Sequence, residues 1–219
     1  MALIVTQDGS HSLLAEQYGV TYHSRYGAVT ESGHVFIDAG LRFKAVVQPE
    51  IAILEVGFGT GLNAFMTWME AERRNLRVCY TALEAYPIAL EEAAVFNFAE
   101  QMGLSARQSD FLRLHHCAWG RSVKLSDHFS LHKKQIRLEA YRSTAAFDLI
   151  YFDAFAPQAQ PELWTERIFT VLHKALHPDG VLVTYCAQGD FKRTLKKVGF
   201  EVERLEGPPG KREMTRAWK

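Results

Sequence analysis

Three groups of residues have the types and spacing for chemistry. Gly57, Gly59 and Gly61 alternate within Ile51–Asn63 (IAILEVGFGTGLN), after an apolar run that ends in Glu55. Such a loop lets backbone approach a nucleotide-like ligand where a Cβ would collide; its plainer reading is a tight structural turn. Glu84 lies one helix and one strand further on, and an acid there can accept hydrogen bonds from both hydroxyls of a ribose. An exposed acid at a strand end is the ordinary alternative. Asp153 opens Asp153-Ala154-Phe155-Ala156-Pro157, directly after the apolar run FDLIYF. A carboxylate there can hold the protons of an amine, aim its lone pair and accept a proton. An aromatic face beside it stabilises positive charge developing on nitrogen. A helix-capping Asp is the competing reading.

The elements that must position these residues follow from patterning. In Ala2–Gly40, Leu3–Thr6 and Ser12–Leu14 flank Gln7-Asp8-Gly9, a hairpin signal. His34–Asp38 reads as another short strand. From Ile51 onward strands and helices alternate. Strands are predicted over Ile51–Val56, Arg77–Leu83, His128–Lys133, Phe147–Asp153 and, after the Pro178-Asp179-Gly180 turn, Val181–Tyr185. Helices are predicted over Leu62–Arg73, Pro87–Met102, Ser105–Trp119 with Ser109 or Asp110 as cap, from Gln160 or Pro161 through Leu176, and over Asp190–Val198, with a short one over Ile136–Tyr141. Phe200–Leu205 and Glu213–Trp218 flank Gly207-Pro208-Pro209-Gly210. So short a connection makes them antiparallel, since a parallel crossover needs about a dozen residues. The pattern predicts an α/β fold: a Rossmann-like, mostly parallel sheet closed by an antiparallel C-terminal hairpin. Residues 1–219 read as one domain, with a β-rich extension over 1–45 and the core over 51–219. Ligands of such sheets bind at the carboxyl ends of the strands, near the switch in strand order. The glycine loop, Glu84, Asp153 and Gly207–Gly210 all belong to that face.

Leu62 stands where a dinucleotide-binding GxGxxG motif needs Gly or Ala, and dinucleotide dehydrogenases usually lack the closing hairpin. The loop therefore fits a nucleoside cofactor without pyrophosphate, such as S-adenosyl-L-methionine. Lys192 and Arg193, and Lys211 and Arg212 at the hairpin, form a candidate basic rim for phosphates, although solvated surface charge explains their spacing equally well. His115 and His116 are adjacent and do not converge on a helix, so no metal site is predicted.

With 219 residues, 47% hydrophobic and 23% charged, the chain can build a sizeable core and is not a disordered one. A formal net charge of zero makes any nucleic-acid contact a matter of local patches. Three separated cysteines, Cys79, Cys117 and Cys186, fit a reducing, cytoplasmic setting. Met1–Ser10 does not read as a signal peptide. No apolar run approaches the ~20 residues of a membrane span.

Asp153–Pro157 is similar to, without being, the Asp/Asn-Pro-Pro-aromatic tetrapeptide of amino-group methyltransferases. The chain as a whole resembles the methyltransferase domain of the MnmC-type tRNA enzymes, which complete 5-methylaminomethyl-2-thiouridine at the wobble position. The resemblance rests on Gly57–Asn63, Glu84 with Pro87, Asp153–Pro157 with Pro161-Glu162-Leu163-Trp164-Thr165, Gly210-Lys211-Arg212-Glu213-Met214, and Tyr22–Leu41. It implies methyl transfer from S-adenosyl-L-methionine to the aminomethyl nitrogen on uridine. It places Glu55, Gly57, Phe58, Gly59, Thr60, Gly61, Asn63 and Glu84 at the cofactor. Asp153 then faces the amine, Phe155 and Pro157 shape the slot, and Lys192, Arg193, Lys211 and Arg212 meet tRNA. Some members carry a fused flavin oxidase, so a separate oxidase or another upstream modification enzyme would supply the substrate. Members commonly carry an acid after the third core strand, toward the adenine amino group. Here that stretch is His132-Lys133-Lys134-Gln135, which leaves backbone or Gln135 for the contact. Two other readings compete: a small-molecule amine transferase such as a polyamine aminopropyltransferase, and a non-catalytic nucleic-acid-binding module with a degenerate pocket.

Overall fold

In the computed structural model, which describes residues 2–219, the chain forms two sheets. Strands β1 (Leu3–Val5), β2 (His11–Ala15) and β3 (Val20–Thr21) make a small antiparallel one. A helical run follows: α1 (Ala28–Ser32), a π-helical stretch Gly33–Arg42, and α2 (Phe43–Ala45). The core then alternates β4 (Glu50–Val56), α3 (Leu62–Arg74), β5 (Arg77–Glu84), the short α4 (Leu90–Ala93) and α5 (Phe98–Gln101), α6 (Gln108–His116), β6 (Ser122–Lys124) and β7 (Phe129–Gln135). It continues through β8 (Phe147–Phe152), α7 (Glu166–Ala175), β9 (Leu176–Thr184), α8 (Gly189–Val198), β10 (Glu201–Glu206) and β11 (Glu213–Trp218).

The eight-stranded sheet has the order β10-β11-β9-β8-β4-β5-β7-β6. β9, β8, β4, β5 and β7 are parallel neighbours, while β11 runs antiparallel to both β9 and β10. This is the doubly wound sheet with a closing hairpin that the sequence predicts. Its central strands read as continuous apolar runs because both faces are covered. Ile53 of β4, Tyr80 of β5 and Tyr151 of β8 pack with Leu62, Phe65 and Trp68 of α3 on one side. Leu54, Ile150 and Leu182 pack with Ile168, Phe169 and Leu172 of α7 on the other. Glu55 and Asp153 share residue parity with Ile53 and Tyr151, so they fall on the α3 side.

The Asp8-Gly9 hairpin forms, with Gly9 at φ +82°. The Asp8 carboxylate accepts from the Thr6 hydroxyl (2.7 Å), Ser10 N–H (3.1 Å) and Thr30 N–H (3.0 Å). Burial works against its charge, yet these bonds hold its pKa down at about 2. Asp8 thereby ties the small sheet to the start of α1.

Four expectations need correction. His34–Asp38 is helical, not a strand. Its apolar run suits either element, and burial of Val35, Phe36, Ile37 and Leu41 against the sheet decides it. The helix lies so close that a Cβ on Gly40 would come within 3.1 Å of Tyr151 and Val183. Pro87–Met102 is not one helix but the separate α4 and α5. Asn97 interrupts it, accepting from His11 N–H (2.9 Å) and donating to the Gly9 carbonyl (3.0 Å). Ser109 and Asp110 do not cap α6; they lie inside its first turn, after Arg107. The predicted β9 is longer, because Leu176 already pairs with Phe147 and residues 177–180 bulge before Val181 pairs with Leu149.

Candidate functional site

Strand order reverses at β4, with β5 on one side and β8 on the other, so the loops leaving these strands open a crevice. A cavity of about 280 Å³ lies there, near the lower end of small-ligand pockets. The glycine loop forms one wall, Glu84 and residues 136–139 a second, and Asp153, Phe155 and Gln160 a third. Tyr18, Tyr22 and His23 of the N-terminal segment close it.

Gly57, Gly59 and Gly61 have φ values of +88°, +48° and +77°, a region that side chains adopt only under strain. A Cβ on Gly57 would sit 2.9 Å from the Asp153 carbonyl oxygen, and one on Gly61 2.8 Å from His115 Nε2. Gly57 therefore lets the end of β4 touch the end of β8. Gly57→Ala is expected to cost roughly 1–3 kcal/mol of stability, measured by urea unfolding. An unchanged midpoint would show that the loop relaxes freely.

Glu84 organises this loop. Its Oε2 accepts from Gly59 N–H and its Oε1 from Tyr86 N–H, both at 2.9 Å. Each oxygen keeps a lone pair for another donor. Thr60 Oγ1 lies 3.2 Å from His23 Nε2, and the Thr60 carbonyl lies 3.1 Å from His115 Nε2. Burial pushes both histidines down to about 4. Both rings are therefore neutral at pH 7, and His115 donates through Nε2 to the carbonyl. Phe58 packs against His115 and Trp119 at ring separations of 5.4 and 6.1 Å.

Asp153 Oδ2 accepts a 2.8 Å bond from Asn63 Nδ2 at the start of α3. The residue is half-buried at the cavity wall, with its carboxyl enclosed. Burial, then the charge of Glu31, pushes its pKa up to about 7, while the Asn63 bond and Lys211 pull the other way. Phe155 meets Tyr18 at 4.8 Å and Tyr22 at 5.3 Å, forming an aromatic wall next to the carboxylate. Gln160 accepts from Phe155 N–H (3.3 Å), and Trp164 Nε1 donates to the Phe155 carbonyl (2.8 Å). The Pro161–Thr165 motif thus steadies the Asp153–Pro157 loop.

Other sequence-predicted residues are placed elsewhere. Pro157 is outside the cavity lining. Glu55 is fully buried beneath the loop and does not reach the cavity. Lys192 pairs with Glu213 at 2.8 Å, Arg193 with Asp190, and Lys211 with Glu31. Their charges are matched within the fold, and Arg212 stands exposed near the hairpin tip. Lys133 is buried, with Nζ donating to the His115 carbonyl (2.7 Å) and lying 4.7 Å from the Trp119 ring centroid. Gln135 is exposed and outside the lining.

Sequence reasoning missed Tyr18, Tyr22, His23, Gln160 and Glu139 as cavity residues. Glu139 is the informative one: an acid beyond β7 does line the cavity, later in the chain than His132–Gln135. Among the described residues no group of three or more His, Cys, Asp or Glu is arranged so that it could hold a metal ion. No helix is long and apolar enough to cross a membrane.

These features fit a nucleoside cofactor. The loop presents backbone without Cβ atoms, Glu84 retains acceptor capacity, and the lining is mostly apolar and aromatic. Comparison with known proteins agrees. A family model for S-adenosyl-L-methionine-dependent methyltransferases matches residues 118–219. The chain is 34% identical over 91% of its length to the tRNA 5-methylaminomethyl-2-thiouridine biosynthesis bifunctional protein MnmC of Cupriavidus necator, and covers 32% of that protein. It is 29% identical over 98% of its length to MnmC of Azoarcus sp., covering 35% of it. The crystal structure of MnmC2 from Aquifex aeolicus superposes with a TM-score of 0.75 at 26% identity, over 98% of this chain and 69% of that one. The chain resembles the methyltransferase part of MnmC. It spans about a third of the length of these curated relatives. Spermidine synthase from Thermotoga maritima shares the fold, with a TM-score of 0.54 at 15% identity over 91% of this chain and 62% of that one.

Proposed function

We propose that this chain is an S-adenosyl-L-methionine-dependent N-methyltransferase that methylates the aminomethyl group of a wobble uridine in tRNA. Residues 1–219 act as a single methyltransferase domain in this reading, and work in the cytoplasm. The observation that carries it is Asp153: a half-buried carboxylate whose pKa lies at about 7, beside an aromatic wall and next to the glycine loop. When bound, the cofactor supplies a methyl group on a positively charged sulfur. Gly57–Gly61, Phe58 and Thr60 would cradle its nucleoside part, Glu84 would accept from ribose hydroxyls, and Glu139 offers an acid on the base side.

Asp153 takes one proton from the substrate ammonium, which frees the lone pair on nitrogen. The same carboxylate then holds a remaining N–H, so that the lone pair points into the crevice. Phe155 and Tyr22 offer ring faces to the positive charge that nitrogen acquires as the new N–C bond forms. The chain's own groups need no metal for this displacement. A separate flavin oxidase or another upstream modification enzyme would supply the aminomethyl substrate.

The deciding experiment incubates the protein with S-adenosyl-L-methionine and tRNA lacking the terminal methyl, then analyses nucleosides by mass spectrometry. Conversion of the aminomethyl nucleoside to its methylated form is expected. If tRNA is untouched but a free polyamine or other small amine is modified, the amine-transferase reading replaces this one. Absence of cofactor binding by calorimetry would leave a non-catalytic binding module.

A further inference from the structure

The loop between β10 and β11 closes tightly around Lys211. Lys211 N–H donates to the Pro208 carbonyl (2.9 Å), and Gly207 N–H to the Arg212 carbonyl (3.2 Å). Gly210 sits at φ +83°, and a Cβ there would fall 2.2 Å from the Tyr26 ring. The loop is therefore pressed against the N-terminal segment, and the Lys211 side chain is half-buried.

The Lys211 ammonium pairs with Glu31, a buried acid of α1 whose other oxygen accepts from Ser24 N–H (3.0 Å). It also lies 3.9 Å from the centroid of the Tyr185 ring. Tyr185, just after β9, donates from its hydroxyl to the Ala154 carbonyl (2.7 Å). Ala154 directly follows Asp153. Contacts thus run without a gap from Ser24 through Glu31, Lys211 and Tyr185 to the backbone beside Asp153. A phosphate contact would need this ammonium free. If Lys211 swung out to RNA, it would give up the ring face and leave Glu31 buried without a counter-charge.

We propose that Lys211 is a positioning residue and not a contact to tRNA: clamped between Glu31 and the Tyr185 ring, it holds the Tyr185 hydroxyl on the Ala154 carbonyl and so sets the Asp153–Phe155 loop. The assignment deepens the methyltransferase reading and rests on it for its kinetic consequences. The electrostatics agree with the contacts. Asp153 is faced by Glu31 of α1, Glu55 of β4, Asn63 of α3, Tyr80 of β5, Tyr185 and Lys211. Lys211 is the one cation in this set. Burial and then the charge of Glu31 push the Asp153 carboxyl up to about 7, and the Asn63 bond and Lys211 work against them.

The first arm of the test needs no substrate. The Asp153 carboxyl is titrated by carbon NMR in wild type, Lys211→Met and Glu31→Gln. Loss of the cation should raise its midpoint by about one pH unit, and loss of the anion should lower it. A general loosening of the fold would move both variants the same way. The second arm measures methyl transfer and tRNA binding. Lys211→Met should lower kcat roughly ten-fold or more through misplacement of the loop, while the salt dependence of tRNA binding stays as in wild type. Lys211→Arg, which keeps the charge and can stack on the ring, should retain most of kcat. Tyr185→Phe keeps the ring and loses the bond to Ala154. It should lower kcat several-fold, the worth of one hydrogen bond, with the Asp153 midpoint in place. Should Lys211→Met not fold, Glu31→Gln carries the titration and Tyr185→Phe the kinetics. Midpoints that stay put or move together, a wild-type kcat in Tyr185→Phe, or an unchanged kcat in Lys211→Met with a flatter salt slope (the mark of a lost phosphate contact) would each overturn the assignment. If the wild type methylates no tRNA, the functional reading fails while the titration still judges Lys211.

Discussion

Asp153→Ala is expected to lower methyl transfer roughly 100-fold or more, the scale of a lost acid–base group, while cofactor affinity changes little. The wild-type acid limb should fall at about pH 7, because the ionised form does the work and Asp153 titrates there. Activity drops below that pH as the carboxylate takes up its proton. Asp153→Asn should lose activity to a similar extent, since an amide can neither accept the proton nor present two acceptor oxygens.

Stability should move the other way. The folded-state pKa of Asp153 lies above the ordinary aspartate value of 3.8, so the folded state binds the proton more tightly. That contribution to stability is full below 3.8 and is lost as pH rises to about 7. At pH 8 the ionised wild type carries a partly desolvated charge that Asp153→Asn does not. The variant is expected to be more stable there by on the order of 1 kcal/mol, after allowing for solvent screening of a half-buried group. Chemical denaturation at acidic and alkaline pH checks this: the gap between the two proteins should widen with pH. Activity within a few-fold of wild type would remove Asp153 from the mechanism. A variant less stable than wild type at pH 8 would show that the carboxylate is a structural cap.

The buried core of this fold is plain in the sequence because burial leaves a compositional mark. β4, β8 and the last part of β9 are short apolar runs, and the two terminal strands sit around a loop too short for a parallel crossover. The candidate catalytic pieces are legible for a related reason. The glycines and Asp153 lie at the ends of those runs, where chain order alone sets the face. What was not legible depends on contacts between distant segments. Tyr18, Tyr22 and His23 reach the cavity through contacts with Phe155, Gln160 and Thr60, tertiary links without local pattern. Pro87–Met102 carries a helical pattern, but the Asn97 bonds to Gly9 and His11 break it. The basic residues show the opposite failure: Lys192, Arg193 and Lys211 look like a free cationic rim in sequence, and each has an acid partner in space. Glu55 looks like a cofactor residue from its place beside the glycines, yet strand parity turns it beneath the loop.

Glu84 presents the second large effect, because one carboxylate serves both the loop and the proposed ligand. Its two oxygens already bond Gly59 N–H and Tyr86 N–H, which fixes the loop before any cofactor arrives. Glu84→Ala removes both bonds and the acceptors for the ribose. Hydrogen bonds to a charged group contribute about 1.5–3 kcal/mol each. Loss of the ligand contacts alone should therefore weaken S-adenosyl-L-methionine binding by roughly 100-fold or more, measured by calorimetry. Glu84→Gln separates the two tasks. Its amide keeps one acceptor oxygen but places an NH₂ against one backbone N–H, so loop order and affinity should both suffer, though less than in Glu84→Ala. Adenosine, which keeps the ribose and lacks the methionine chain, should lose affinity by a similar factor in Glu84→Ala. S-adenosyl-L-methionine and adenosine weakened alike would tie the effect to the shared nucleoside. A cofactor affinity within a few-fold of wild type would leave Glu84 as a loop brace alone, and the ribose site would then have to lie elsewhere in the crevice.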